Sequence, residues 1–312
     1  MAARRGTRSL GRSLPRTTLV WVAVVVVALV IVDVALVALA LARTAPETHG
    51  TPGPIPTYSH GPSATAKPSA SASPQAGAAG TTAHHLLSAV TGLEAWRASS
   101  TSCDAPKAVL EHTTDGGKTW TTVSIGDDVR TVTGMRATTD GLSVLVGVGD
   151  TCTDAVRTTT DDGATWKDGA VGAAGAGITS RGIVLGAATE QPPCADPVDA
   201  FRGSRTTVVV CDGQVEWREG TGAWVDLPLG GVRAIAVDGD EYTLARVGTL
   251  SCAGVQIETM PASGVTNETT TTPIGCNHVS TDGPVALDRA GEAVWMWAGD
   301  GVAVSADGGA TW

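Results

Sequence analysis

The octapeptide Thr113-Thr-Asp115-Gly-Gly117-Lys-Thr-Trp120 returns as Thr159-Thr-Asp161-Asp-Gly163-Ala-Thr-Trp166 and again as Ser305-Ala-Asp307-Gly-Gly309-Ala-Thr-Trp312. All three read [S/T]-x-D-x-G-x-T-W. A hairpin turn accounts for the fixed positions. The Asp carboxylate can accept backbone N–H groups across the bend, and Gly supplies a left-handed conformation that other residues resist. The Thr favours extended backbone, and the Trp returns a large ring to a core between sheets.

The octapeptide resembles the Asp-box of the BNR-repeat β-propellers, the superfamily of sialidase-like folds and photosystem assembly factors. The resemblance covers roughly the last 230 residues. It implies an all-β domain in which each box joins the third strand of a blade to the fourth and is structural rather than catalytic. Asp115 and Asp161 are 46 residues apart, and Asp161 and Asp307 are 146 apart. At about 40–45 residues per blade, the first interval is one blade and the second about three. Two degenerate blades should therefore lie between. One is marked by Gln214-Val-Glu-Trp-Arg-Glu-Gly-Thr-Gly-Ala-Trp224, which keeps turn glycines and the Trp but lacks the Asp; the other, around 262–272, has lost the box. The expectation is an Asp-box β-propeller of about five four-stranded blades over 84–312. Its blades start near 86–90, 129–133 and 232–237, with 177–179 a poorer match. The third box ends at Trp312, so the segment 78–84 is expected to supply the last blade's fourth strand, beside 302–305.

The rest of the chain reads differently. Residues 1–18 form a basic tail with Arg4, Arg5, Arg8, Arg12 and Arg16. Residues 19–42 are a 24-residue apolar run broken only by Asp33. As a helix that run is roughly 36 Å long, against a hydrocarbon core of about 30 Å. The arginines before it place the N-terminus in the cytoplasm and the remainder outside. A cleaved signal peptide ending at Ala40-Leu41-Ala42 is the rival reading, although the run is long for one. Both readings export the domain. Asp33 could contact a partner helix or be a protonated carboxyl tolerated in the span. Of the 41 residues in 43–83, 33 are Ala, Pro, Ser, Thr or Gly, which reads as a disordered linker without the apolar surface to order it.

Residues 84–312 carry 14 Lys+Arg against 29 Asp+Glu, a balance of −15. A surface that negative repels phosphate backbones and argues against nucleic acid as a partner. The six cysteines Cys103, Cys152, Cys194, Cys211, Cys252 and Cys276 fall in the exported part, where disulfides form. Of the possible connectivities, near-neighbour pairing gives Cys103–Cys152, Cys194–Cys211 and Cys252–Cys276. No CxxC occurs, and His278 is the only imidazole close to a cysteine, so no metal or other cofactor is assigned. His84-His85 reads as a solvated pair. Asp238-Gly-Asp240-Glu241 reads as an acidic turn rather than a calcium loop. Trp295 and Trp297 alternate on one strand face, as core or as a sugar-stacking platform. Asn267-Glu-Thr269 is a glycosylation sequon.

The sialidase resemblance would imply an arginine cluster, a Tyr nucleophile with a Glu partner, an acid Asp and an F/Y-R-I-P motif. Here the domain's one Tyr is Tyr242, beside Glu241, and Phe201-Arg202-Gly-Ser is no substitute for the missing motif. Arg136, Arg181, Arg202 and Arg233 are present, but nothing in the sequence brings three together. No catalytic residue is assigned. The function expected is an extracytoplasmic, membrane-anchored binding or scaffold module for a glycan, cell-wall component or envelope protein. The alternative is a sialidase-like glycoside hydrolase with a non-standard active site.

Overall fold

The computed structural model describes residues 84–312 except 101, 105 and 106. The basic tail, the apolar span, the linker and residues 78–83 of the expected closing strand lie outside the described residues. Every regular element described is a β-strand, and no described helix is long and apolar enough to cross a membrane.

The strands form six antiparallel meanders. The first blade holds β1 (His84–Ala89), β2 (Ala95–Ser100), β3 (Val109–Thr113) and β4 (Thr121–Val123). The second holds β5 (Val129–Thr138), β6 (Gly141–Val148), β7 (Thr153–Thr159) and β8 (Lys167–Asp168). The third has only β9 (Ala176–Thr179), β10 (Gly182–Leu185) and β11 (Ala188–Glu190). The fourth holds β12 (Pro197–Arg202), β13 (Thr206–Cys211), β14 (Gln214–Glu219) and β15 (Val225–Leu227), and the fifth β16 (Val232–Asp238), β17 (Glu241–Arg246), β18 (Val255–Pro261) and β19 (Thr272–Asn277). The sixth holds β20 (Val285–Ala290), β21 (Ala293–Ala298) and β22 (Gly301–Ser305). The innermost strands β1, β5, β9, β12, β16 and β20 pack on one another in chain order, and β20 closes the ring against β1.

The expected blade count of about five is corrected to six. The sequence reading merged the third and fourth blades, because the third is compressed into 15 residues and carries no box. Its β10–β11 connection is the two-residue turn Gly186-Ala187, with Gly186 at φ 71°. The same blade breaks the direction of the ring. Beside β5, Gly175 lies against Arg136, Gly134 against Ala176, and Gly177 against Thr133. Residue numbers thus fall along one strand as they rise along the other, so β9 runs antiparallel to β5. The preceding outer strand β8 has only two residues. The chain leaves the outer edge beside the box turn and enters the third blade from that end. A three-stranded blade then restores the usual direction at β12. Glycine at 134 and 177 lets the two backbones approach; a Cβ on either would overlap a main-chain oxygen of the facing strand.

At residue 84 the expectation for ring closure is corrected. His84 is the first residue of the innermost strand β1, paired with Ser100, rather than part of an outer strand. Among the described residues the sixth blade is three-stranded. Its contact with the first blade is made by side chains. Ala89 N–H donates to Asp288 Oδ2 at 2.7 Å, and Trp295 Nε1 donates to the Thr91 carbonyl at 2.8 Å. His85 stacks on Trp297 with ring centroids 3.6 Å apart, while the Arg97 guanidinium lies 4.8 Å from Trp297 and 4.3 Å from Trp120.

Middle strands are covered by the adjacent blades on both faces, so they read as unbroken apolar runs. Val208 to Cys211 on β13 and Val294 to Ala298 on β21 are buried throughout. Trp295 and Trp297 belong to that core.

Candidate functional site

The three octapeptides fold alike. Thr113 Oγ1 donates to Asp115 Oδ1 at 2.8 Å and accepts from Gly117 N–H at 3.2 Å, while Asp115 accepts from Thr119 N–H at 3.0 Å and from Thr119 Oγ1 at 2.6 Å. Asp161 accepts the corresponding bonds from Thr159 and Thr165, and Asp307 from Ser305 and Thr311. The Thr119 and Thr165 hydroxyls and, for Asp307, the Ser305 and Thr311 hydroxyls hold the three carboxyls down to about 2. Each turn packs on the preceding blade. Gly117 lies on Trp295 and Val302 of the sixth blade, Gly163 on Val123 of the first, and Gly309 on Ile257 of the fifth. Trp166 donates to the Ser124 carbonyl at 2.9 Å, whereas Trp120 and Trp312 donate back to Gly117 and Gly309 within their own turns.

In a four-stranded meander the turn from second to third strand lies at one end, and the other two turns lie at the opposite end. The octapeptides therefore share one end of the ring. The disulfides Cys103–Cys152, Cys194–Cys211 and Cys252–Cys276 gather at the other. The first of them joins the first blade to the second.

A channel runs along the ring axis, a cavity of about 1780 Å³ between the inner strands. No octapeptide residue lines it. At the disulfide end its wall carries Asp104, Asp154, Asp196 and Asp282 with Arg181 and Arg233; Arg181 forms an ion pair with Asp154. Toward the octapeptide end it carries Arg136, Arg202 and Arg289. Arg136 donates to the Arg202 carbonyl at 2.6 Å, and Arg202 to the Leu185 carbonyl at 2.5 Å. These two also flank a small side pocket of about 310 Å³ among Gly172, Gly175, Gly186 and Gly203. Arg289 pairs with Glu241 at 2.9 Å, which engages part of the acidic turn 238–241. The ring thus brings together arginines that the sequence leaves scattered.

Asp199 on β12 and Asp288 on β20 stand on the same wall, half-buried and opening onto the channel. Desolvation by the surrounding wall pushes both carboxyls up to about 6, and the Asp199 charge adds to the rise at Asp288. Each accepts a main-chain N–H from the next blade: Asp199 from Ile235 at 3.2 Å and Asp288 from Ala89. Ser88 does the same for Ala137 at 2.8 Å. These side chains staple neighbouring inner strands.

No family model and no curated protein matches the chain. Solved structures similar to it include a GH74 enzyme of Niastella koreensis, at 14% identity and TM-score 0.39 over 72% of this chain and 45% of that one. YCF48 bound to D1 peptide is similar at 17% identity and TM-score 0.28, over 72% of this chain and 64% of that one. The Hadza microbial sialidase Hz136 is similar at 10% identity and TM-score 0.33, over 68% and 49%. This chain therefore spans about half to two thirds of each neighbour's length. The propeller assignment rests on the six sheets and their closed ring.

Tyr242, to which no catalytic role was assigned, is fully buried between the fourth and fifth blades, its hydroxyl 2.5 Å from Thr206 Oγ1 and its acidity weakened by burial. One sequence expectation changes in the ring. His85 is not solvated: burial and then the Arg97 charge lower it to about 4, which keeps the ring neutral against Trp297. A further feature was invisible in the sequence. Glu94, His112 and Asp162 come together at the octapeptide end, with one ligand-type atom of each within 4.8 Å of the others. The available signal was a single departure: the second octapeptide has Asp162 where the other two have Gly116 and Gly308.

Proposed function

We propose that the chain is an extracytoplasmic, membrane-anchored β-propeller that binds a glycan or cell-wall component in its axial channel. The observation that carries this reading is the channel wall, where Arg136 and Arg202 stand at one mouth with their hydrogen bonds directed to main-chain carbonyls rather than to carboxylates. Guanidinium groups held this way suit hydroxyl-rich or acidic sugars, which accept planar, paired hydrogen bonds. Their fixed carbonyl partners keep them oriented before a ligand arrives, which lowers the entropy cost of binding. The apolar span 19–42 and the linker 43–83 would hold the channel clear of the membrane, on the side that the arginine-rich tail leaves outside. A channel lined with charge suits a sugar polymer better than a protein surface, although an envelope protein bound at the ring face belongs to the same class of function.

Glycoside hydrolysis is the second reading, favoured by two carboxyls raised to about 6 on one wall. A raised carboxyl is what a general acid requires. Against it, both groups accept main-chain N–H bonds from a neighbouring blade, so their geometry already has a structural cause. Incubating the purified chain with insoluble cell-wall polysaccharide separates the two readings. Binding without release of reducing sugar is the expected result. Sugar release that disappears in Asp199→Asn or Asp288→Asn would establish the hydrolase instead.

A further inference from the structure

We propose that Glu94, His112 and Asp162 form a divalent transition-metal site, of the kind that takes Zn²⁺, which ties the first blade to the second. This is independent of the channel reading. His112 Nε2 and Glu94 Oε1 are 3.3 Å apart. Ligand atoms about 2.05 Å from a tetrahedral Zn²⁺ stand about 3.3 Å from one another, so the two need not move to share an ion. One imidazole with two carboxylates is a borderline-to-hard donor set suited to zinc or a neighbouring divalent metal. Asp162 is exposed, which leaves the fourth position open to water.

Each ligand is held by a different device. His112, on β3, stacks on Trp96 with centroids 3.9 Å apart and planes 12° from parallel, which fixes the imidazole. Glu94 closes the β1–β2 turn: its carbonyl accepts from Val90 and Thr91 N–H, and its own N–H donates to Thr91 Oγ1 at 3.0 Å. Asp162 is carried by the second octapeptide, which packs on the first blade through Gly163 and Trp166. An ion here would therefore bridge two blades at the octapeptide end, opposite the Cys103–Cys152 disulfide that bridges the same two blades. The residue at 162 is also a costly choice for the turn alone. Its φ is 54°, where the equivalent Gly116 and Gly308 have 78° and 73°. Asp tolerates that region better than most residues but less well than Gly. An aspartate placed there, beside an imidazole and a second carboxylate, has a use in holding a cation. The domain's balance of −15 favours cation binding as well.

The test titrates ZnCl₂ into the chelator-stripped full chain in detergent, by calorimetry, with metal-free melting curves recorded in parallel. Wild type should bind one equivalent and melt at a higher temperature with zinc than without. Asp162→Gly restores the residue used by the two sister turns. It should melt no lower than wild type without metal, yet weaken zinc binding at least tenfold, and His112→Gln should abolish binding. If His112→Gln does not fold, Asp162→Gly decides. Absence of stoichiometric binding in wild type, or equal affinity in wild type and Asp162→Gly, would overturn the site.

Discussion

Asp115, Asp161 and Asp307 each hold a hydroxyl and a main-chain N–H four residues ahead, and the same bonds keep their carboxyls near 2. Because these values lie below the usual 3.8, the stability they contribute is present above that pH and is lost as pH falls toward 2. Asp115→Ala should lower the melting temperature by a few degrees while the folded protein keeps its ligand, as thermal scans and a binding assay would establish. Asp199 and Asp288 behave in the opposite sense. Their carboxyls are raised to about 6, so their contribution is present below the unfolded value near 3.8 and is lost as pH rises through 6. His85, lowered from 6.5 to about 4, titrates across the same range with opposite sign, so a comparison with the variant isolates the aspartate. Asp288→Asn should gain on wild type by about 1–2 kcal/mol between pH 4 and pH 8, a fraction of the shift because the group opens onto water. Urea unfolding at the two pH values measures this, and a constant difference would refute it.

At the scale of elements, the turn residues decide how blades meet. Gly163 has φ 84°, and a Cβ there would overlap Val123 of the first blade. Gly163→Ala should therefore cost about 1–3 kcal/mol, from backbone strain and overpacking together; denaturant midpoints would measure it. The strands that open blades at 86–90, 129–133 and 232–237 were legible because each is a short run rich in apolar and β-branched residues that follows a blade boundary set by the repeat, and the octapeptides located β3, β7 and β22. The third blade was not legible. A blade of 15 residues without a box, whose outer turn is Gly186-Ala187, leaves no repeat to count, and interval arithmetic assigned its residues to a neighbour. The channel residues were hidden for a related reason. Arg136, Arg202, Asp199 and Asp288 sit on inner strands, and only ring closure makes those strands face one another. Glu94, His112 and Asp162 likewise share no sequence spacing.

Over the whole molecule, the ring closes through the aromatic stack between its first and last blades rather than through a strand shared among the described residues. Trp297→Ala removes the ring on which His85 stacks and over which the Arg97 guanidinium lies. It should destabilise the domain by about 3–5 kcal/mol, as large core truncations do, and the loss should appear as one cooperative shift in unfolding. Under the proposed topology, with five arginines before the apolar span, protease added to spheroplasts should remove the propeller and leave an N-terminal tag intact, and digestion of the tag from outside would refute it. The central claim is that ligand binding belongs to the channel and not to the repeated octapeptides. The most direct measurement is co-sedimentation with insoluble cell-wall polysaccharide, comparing folded wild type, Asp115→Ala and the double variant Arg136→Gln/Arg202→Gln. Wild type and Asp115→Ala should sediment equally and the arginine variant should stay in solution; sedimentation of the arginine variant with loss of Asp115→Ala would contradict the account.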